Sequence, residues 1–523
     1  MLIVLSILKI DFRFAQEIYC CSDDFDYFIH SETIVEDFDF DYSNQLLGSE
    51  NERFNKNNKI APIGFVGTGI FSSPFMLFGI YVDKFFNYLG LSSSIVSYKL
   101  IFYSFSSIFY LFFTLKYLKD SLNLLKIKNK SIDLILLILG VGISYYAFER
   151  FSMTHVYEGF SLTMIIYFSI KYFKTQYIKS AWLIPIFVYL GFSVKWVHYY
   201  LFFVPLIIKL IFFPNCEYKL FKERAFLFSL IISSTMFLYI NKLIYGVFTI
   251  NPAFVYISDT ETNVKVQDLV NYSEDFVALS LDFLNRFFII LFTEEFGLFW
   301  FSPVLFISTV LIFIKLFQSF KENQGSTIGP LLLCLSFGQV FFITILWESP
   351  GSAYGFRYIY NLFPLAILIY FYYYSKYNFV YLHYFVLFLS IFSFISTLFF
   401  ESTEMTQLSL GPELNSFGNM SKFTERYYLS GYLNSFMEIN SYLKLFITSF
   451  LGAILLKIAV IFFGSSNLLD LLNSFGLPVG NEKFGLLIVN VESIQIHYFI
   501  VIFLLVTLLY MYFSKYIYSK NKY

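Results

Sequence analysis

Residues Ser97–Lys130 read "SYKLIFYSFSSIFYLFFTLKYLKDSLNLLKIKNK". The part from Ser97 to Lys116 is an almost unbroken apolar and aromatic run, long enough to cross about 30 Å of hydrocarbon, which takes roughly twenty residues of helix. It ends in a turn that sets Lys116, Lys119, Lys126, Lys128 and Lys130 against one acid, Asp120. A spanning helix followed by a lysine-rich turn is the expected unit, and the lysine excess puts that turn on the cytoplasmic side.

The whole chain has the same character. Its 523 residues are 57% hydrophobic, 23% aromatic and only 14% charged, with a mean hydropathy of +0.65. That is more apolar surface than a soluble core of this length buries, so the expected fold class is an all-α integral membrane protein. Spans are expected at Ser97–Lys116, Ile132–Phe148, Gly159–Tyr172, Ala181–Val194, Leu201–Phe213, Ala225–Tyr239, Phe299–Leu316, Ile328–Trp347, Tyr358–Tyr374, Val380–Phe400, Tyr442–Phe463 and Ile494–Phe513. This makes a bundle of about twelve helices. Lys171, Lys174 and Lys179, and then Lys209, Lys219, Lys222 and Arg224, mark the next cytoplasmic turns. Two long acidic connections then face outward, one holding Asp259, Glu261, Asp268, Glu274, Asp275 and Asp282, the other Glu401, Glu404, Glu413, Glu425 and Glu438.

The organisation follows from that alternation. Residues 1–95 form an N-terminal segment and an outward acidic loop with short interfacial helices, and 96–245 are spans with basic turns. Residues 246–298 form an outward acidic loop, 299–400 are spans with an outer loop around Arg357, 401–441 form another outward loop, and 442–523 are C-terminal spans. Met1–Ile10, "MLIVLSILKI", is too short to span. Either a first helix is truncated by start-site choice, which is the favoured reading, or Met1–Cys21 forms an imperfect span containing Asp11, Arg13 and Glu17.

Ser22–Asn44, "SDDFDYFIHSETIVEDFDFDYSN", gathers the acids of the first outward loop. In a helix beginning at Ser22, Asp23 and Tyr27 share a face and Ser22 can cap the first turn. One reading makes Asp23 and Asp24 proton chemistry; the other has them simply favouring the helix dipole. The stretch "IAPIGFVGTGIFSSPF" at Ile60–Phe75, with Pro62, Gly64, Gly67, Gly69 and Pro74, is expected to be too broken for an ordinary span and to lie along the membrane interface.

Three segments in order resemble the GT-C superfamily of polytopic glycosyltransferases, related to the protein O-mannosyltransferases and the aminoarabinose transferases of lipid A. The first is the acidic loop, with Asp23, Asp24, Tyr27, Asp37, Asp39, Asp41, Pro62 and Gly64 on matching positions. The second is "EEFGLFWFSPVLF" at Glu294–Phe306, and the third is "WESPGSAYGFRYIYNLFPLAIL" at Trp347–Leu368. The departures are a missing first helix and Asp-Asp where Asp-Glu is commoner. The resemblance implies a membrane enzyme that moves a sugar from a polyprenyl-phosphate donor to an acceptor hydroxyl on a glycan, lipid or protein at the outer face of the plasma membrane.

Such a reaction needs a base for the acceptor proton and a cation for the leaving phosphate. Asp23, with Asp24 beside it, is the candidate base, because neighbouring carboxylates disfavour each other's charge. Arg357 is the candidate phosphate clamp through its bidentate fork, against the alternative of snorkelling to the interface. Tyr27, Asp39 and Asp41 are expected on the substrate side. His155 and Glu158 stand at i, i+3 at a helix start, and Lys195 lies in a tight outward turn with Trp196 and His198. Those three are weaker candidates for substrate binding, since a solvated loop or snorkelling explains them as well.

Phosphate-binding glycine loops, dinucleotide fingerprints, HExxH and paired CxxC are all missing from the sequence, so no cofactor is expected and nothing supports a divalent metal. Four cysteines make no disulfide framework, and a net charge of −1 gives no sign of a nucleic-acid partner. Membrane lipids are the expected surroundings. The competing readings are a transporter or lipid flippase, and a non-catalytic subunit of an envelope-polysaccharide assembly machine. The charges collect in loops at one face and no internal repeat is visible, which is unlike a transporter.

Overall fold

A computed structural model describes residues 22–49, 52–62, 64–91, 97–148, 150–217, 219–251, 255, 276–293, 297–321, 327–347, 355–399, 459, 462–474 and 511. The expected spans at Tyr442–Phe463 and Ile494–Phe513 fall almost wholly outside these residues; the acidic loop 401–441 and Met1–Cys21 lie outside them, as does the part of the loop 246–298 that holds Asp259, Glu261, Asp268, Glu274 and Asp275.

Among the described residues the chain is all-helical, with one isolated bridge between Phe54 and Ile60. The helices are α1 Ser22–Glu32, α2 Val66–Tyr88, α3 Tyr98–Leu124, α4 Ser131–Leu139, α5 Ile143–Phe148, α6 His155–Thr175, α7 Ile178–Val194, α8 Val204–Phe212, α9 Arg224–Tyr245, α10 Phe276–Phe292, α11 Pro303–Lys321, α12 Ile328–Trp347, α13 Phe363–Tyr377, α14 Val380–Phe399 and α15 Ser465–Ser474. Five of them, α2, α3, α9, α11 and α12, are long and apolar enough to cross a membrane. Several other expected spans are shorter or interrupted. Tyr358–Tyr374 opens with a 3-10 turn at Arg357–Leu362 before α13, and Leu201–Phe213 reduces to a 3-10 turn and the nine-residue α8.

Two expectations are corrected. The second half of the glycine- and proline-punctuated stretch, Val66–Phe75, is the opening of a continuous 23-residue helix, α2, while Pro62 and Gly64 precede it. Its glycines are points of contact with neighbouring backbone: a Cβ on Gly67 would stand 2.3 Å from Val194 N, and one on Gly79 would stand 2.4 Å from Tyr98 O. Pro74 removes a helical donor, and nearby Ser72 Oγ bonds Thr68 O at 2.7 Å while Ser73 Oγ bonds Gly69 O. The expected single span Ile132–Phe148 is instead split into α4 and α5 at Gly140–Gly142. Gly142 has φ +89°, which favours glycine, and a Cβ on Gly140 would meet Ser390 Cβ at 2.5 Å.

α2 and α3 form an antiparallel pair built on aromatic contacts, with Phe71 edge-on to Tyr110, Phe78 edge-on to Phe102 and Phe86 stacked on Tyr98. α6 runs parallel to α3: Tyr157 meets Ser106, and Tyr117 meets Tyr167. α1 lies against this hairpin, Phe28 edge-on to Tyr103, and its far end is pinned where Lys99 Nζ bridges Glu32 at 2.5 Å and Glu36 at 2.7 Å. The start of α1 therefore sits beside the turn that leads into α6.

Candidate functional site

α1 begins at Ser22, and its first-turn side chains are driven inward. Asp24 and Asp26 are both buried; Asp23 shares the helix backbone, but its side chain lies outside the described residues. A buried carboxylate needs a partner. Asp24 finds one in the fully buried Arg150, 3.0 Å from Nη2, and Asp24 Oδ1 has no hydrogen-bond partner among the described residues. Asp26 accepts from Gly64 N at 3.0 Å and pairs with Arg53 at 3.4 Å. Gly64 O in turn accepts from His30 Nε2 at 2.9 Å and from Tyr245 OH at 3.3 Å. A Cβ on Gly64 would stand 2.8 Å from Asp26 Cβ, so glycine is what lets the backbone at this position close on α1. The second nitrogen of His30, Nδ1, lies 2.6 Å from Tyr42 OH, and burial pushes the imidazole down to about 4.

Five residues after Arg150, α6 opens with His155 and carries Glu158 in its first turn, where the helix dipole favours an anion. Here the polar groups converge. Glu158 Oε2 accepts from His198 Nε2 at 2.8 Å, while Glu158 Oε1 faces His155 Nδ1 at 3.6 Å and Lys195 Nζ at 3.8 Å. Both Oε1 and His155 Nδ1 are buried without a hydrogen-bond partner among the described residues. Asn361 Nδ2 sits 3.1 Å from His198 Nδ1 and 2.9 Å from Nε2. With Nε2–H committed to the carboxylate, Nδ1 is the acceptor. Tyr200 OH donates to Asn361 Oδ1 at 3.3 Å. Burial holds the His198 imidazole below its ordinary value, against the opposing pull of Glu158, so it stands neutral.

Two cations share one ring beside this carboxylate. Lys195 Nζ lies 4.0 Å and the Arg357 guanidinium carbon 5.4 Å from the Tyr358 centroid, and both act on the field at His155. Glycine again permits the approach: a Cβ on Gly159 would stand 2.4 Å from Phe363 Cε1, holding off the turn that carries Arg357, Tyr358 and Asn361.

Of the residues expected at the site, His155, Glu158, Lys195 and Arg357 are brought together. Tyr27 is buried on α1 and packs against Gly64, which a Cβ would place 3.0 Å from its ring. Asp39 and Asp41 do not join the cluster through any contact described. Asp39 accepts from Asp41 N at 2.9 Å, and Asp41 accepts from Ser43 N at 3.1 Å and Ser43 Oγ at 2.5 Å. The Ser43 hydroxyl and amide hold the Asp41 carboxyl below the usual range. Asp37 accepts from Asn44 and Gln45. These exposed acids shape a turn. Arg150, His198 and Asn361 were not among the expected site residues. Arg150 stands beside Glu149 in a polar turn and carries no mark of its own, and Asn361 meets His198 across 163 residues and has no local sign.

Among the described residues no cluster of three or more His, Cys, Asp or Glu side chains is arranged to hold a metal ion. Comparison with protein-family models, curated proteins and solved structures finds no match to this chain.

Proposed function

We propose that the protein transfers a sugar from a polyprenyl-phosphate donor to an acceptor hydroxyl, with the donor phosphate held between Lys195 and Arg357. One observation carries this reading: two cations stand against the ring of Tyr358, and one of them, Lys195, lies 3.8 Å from a buried Glu158 whose Oε1 has no hydrogen-bond partner among the described residues. Like charges drawn to one ring repel, and an anionic group held by both offsets that repulsion. A guanidinium and an ammonium together suit a phosphate that gains charge as the sugar leaves. Glu158 fixes the imidazole of His198 and draws Lys195 inward; His155 Nδ1 and Glu158 Oε1 offer a donor and an acceptor to a sugar hydroxyl.

Asp23 is the base in this reading, and Asp24 is a positioning residue. Through Arg150, Asp24 ties the first turn of α1 to the turn before α6, the helix that carries His155 and Glu158. The reaction then takes the acceptor proton onto Asp23 while the oxygen–anomeric carbon bond forms and the carbon–phosphate oxygen bond breaks, leaving polyprenyl phosphate on the two cations.

Sugar transfer by the purified full-length protein, with a polyprenyl-phosphate monosaccharide as donor, tests this. Wild type turns over, and Asp23→Asn loses about a hundredfold to ten-thousandfold in rate while still binding donor. Near-wild-type turnover in Asp23→Asn, or no transfer by wild type from such donors, overturns the reading.

A further inference from the structure

At the opposite, lysine-bearing end of the bundle, a cavity of about 150 Å³ opens between α8, α11, α12 and α13. Leu210, Ile312 and Leu333 make its apolar wall, and Lys315, Tyr372 and Tyr373 its polar one. Ile312 also lines a second apolar pocket with Thr309, Phe337 and Phe341, one turn further along α11 and α12 towards their outer ends. The two share Ile312, and the inner one is small, about 30 Å³, so the larger cavity is the one with room for a ligand, with a cation at its edge and hydrocarbon walls beside it.

The charge around it has one sign. The four lining helices carry Lys209, Lys315, Lys321 and Lys376 and no Asp or Glu. Lys209 Nζ is occupied by Pro214 O at 3.2 Å, and Glu217, just beyond Pro214, is exposed and paired with Lys219 at 3.1 Å. Lys315 is half-buried on the cavity wall, with no carboxylate among the lining residues.

We infer that this cavity binds an anionic glycerophospholipid of the adjoining leaflet, its phosphate at Lys315 and the upper part of an acyl chain against Leu210, Ile312 and Leu333. A lipid phosphate satisfies the lysine that the apolar wall cannot, and the tyrosine hydroxyls add donors. The inference does not depend on the sugar-transfer reading, because it concerns the other end of the bundle.

The test is retention of lipid by the purified full-length protein in a neutral maltoside detergent, read by native mass spectrometry after adding phosphatidylglycerol or phosphatidylcholine. Wild type is expected to retain phosphatidylglycerol about fivefold better, the scale of one lysine–phosphate attraction. Lys315→Gln should lose that preference, Lys315→Arg should keep it, and Leu333→Trp, which fills the cavity, should lower retention of both lipids. Lys376→Gln, on a helix that lines the cavity but outside its wall, should change nothing. Equal retention of the two lipids by wild type, or an unchanged preference in folded Lys315→Gln, overturns the proposal. Displacement of phosphatidylglycerol by an equal amount of polyprenyl phosphate would reassign the site to the isoprenoid and also overturn it.

Discussion

Arg150 Nη2 lies 3.0 Å from Asp24 Oδ2, and neither side chain is more than 5% exposed. A buried pair of this kind gains little over apolar side chains of the same size, but removing one partner strands the other charge. Arg150→Met or Asp24→Asn alone should therefore cost about 3–5 kcal/mol of stability. The double variant should recover most of the loss, which thermal unfolding in detergent would show. Equal losses in the single and double variants would mean that the two residues do not act as a pair.

Much of this arrangement was legible in the chain, and the rest was hidden for identifiable reasons. The long α3 follows from its Ser97 cap, which accepts from Leu100 N, and from an unbroken apolar run, both local signals. α2 differs from the expectation because glycine and proline count as breakers in a sequence reading, whereas Gly67 and Gly69 serve close approach to Val194 and His30. His155 and Glu158 announced themselves by spacing, and Lys195 and Arg357 by being cations among aromatics. Their meeting depends on packing of α6, α7 and the Arg357 turn, which no local pattern encodes. Asp39 and Asp41, expected on the acceptor side or as purely structural, form hydrogen bonds within their own turn, and an acidic run carries no mark that separates the two roles.

His30 predicts a pH dependence. Its imidazole falls from 6.5 in the unfolded chain to about 4 when buried, so above pH 6.5 both states are neutral and there is no penalty. As pH drops from 6.5 towards 4, the unfolded state takes up the proton and the folded state does not, destabilising the α1 region by about 3 kcal/mol. Unfolding of wild type and His30→Gln at pH 7.5 and pH 4.5 should show a larger acid loss in wild type. Parallel losses would contradict the buried neutral histidine.

Gly159 is predicted to be intolerant of a side chain. Gly159→Ala places a methyl 2.4 Å from Phe363 Cε1, an overpacking worth about 1–3 kcal/mol. Phe363→Leu in the same chain should return part of that stability. The single variant should also weaken donor binding, since the displaced turn carries Arg357 and Asn361. Unchanged stability in Gly159→Ala would show that the helices part without cost.

The lysine asymmetry predicts which end faces out. Asn44 and Lys128 lie beyond opposite ends of the 27-residue α3, a helix about 40 Å long. With the native cysteines replaced, Asn44→Cys should react in intact cells with a membrane-impermeant maleimide, and Lys128→Cys should react only after permeabilisation. The reverse pattern would invert the orientation and place the Glu158 site on the cytoplasmic side.

The phosphate site is tested most directly by binding of polyprenyl phosphate, the expected leaving group, to the purified protein in detergent. Calorimetry on wild type, Arg357→Lys, Arg357→Gln and Lys195→Gln would measure it. Wild type should bind, and Lys195→Gln and Arg357→Gln should each weaken binding about tenfold or more, as loss of a charge-assisted contact implies. Arg357→Lys should fall between, keeping the charge and losing the fork. Equal affinity in all four proteins, each shown to be folded, would contradict the account.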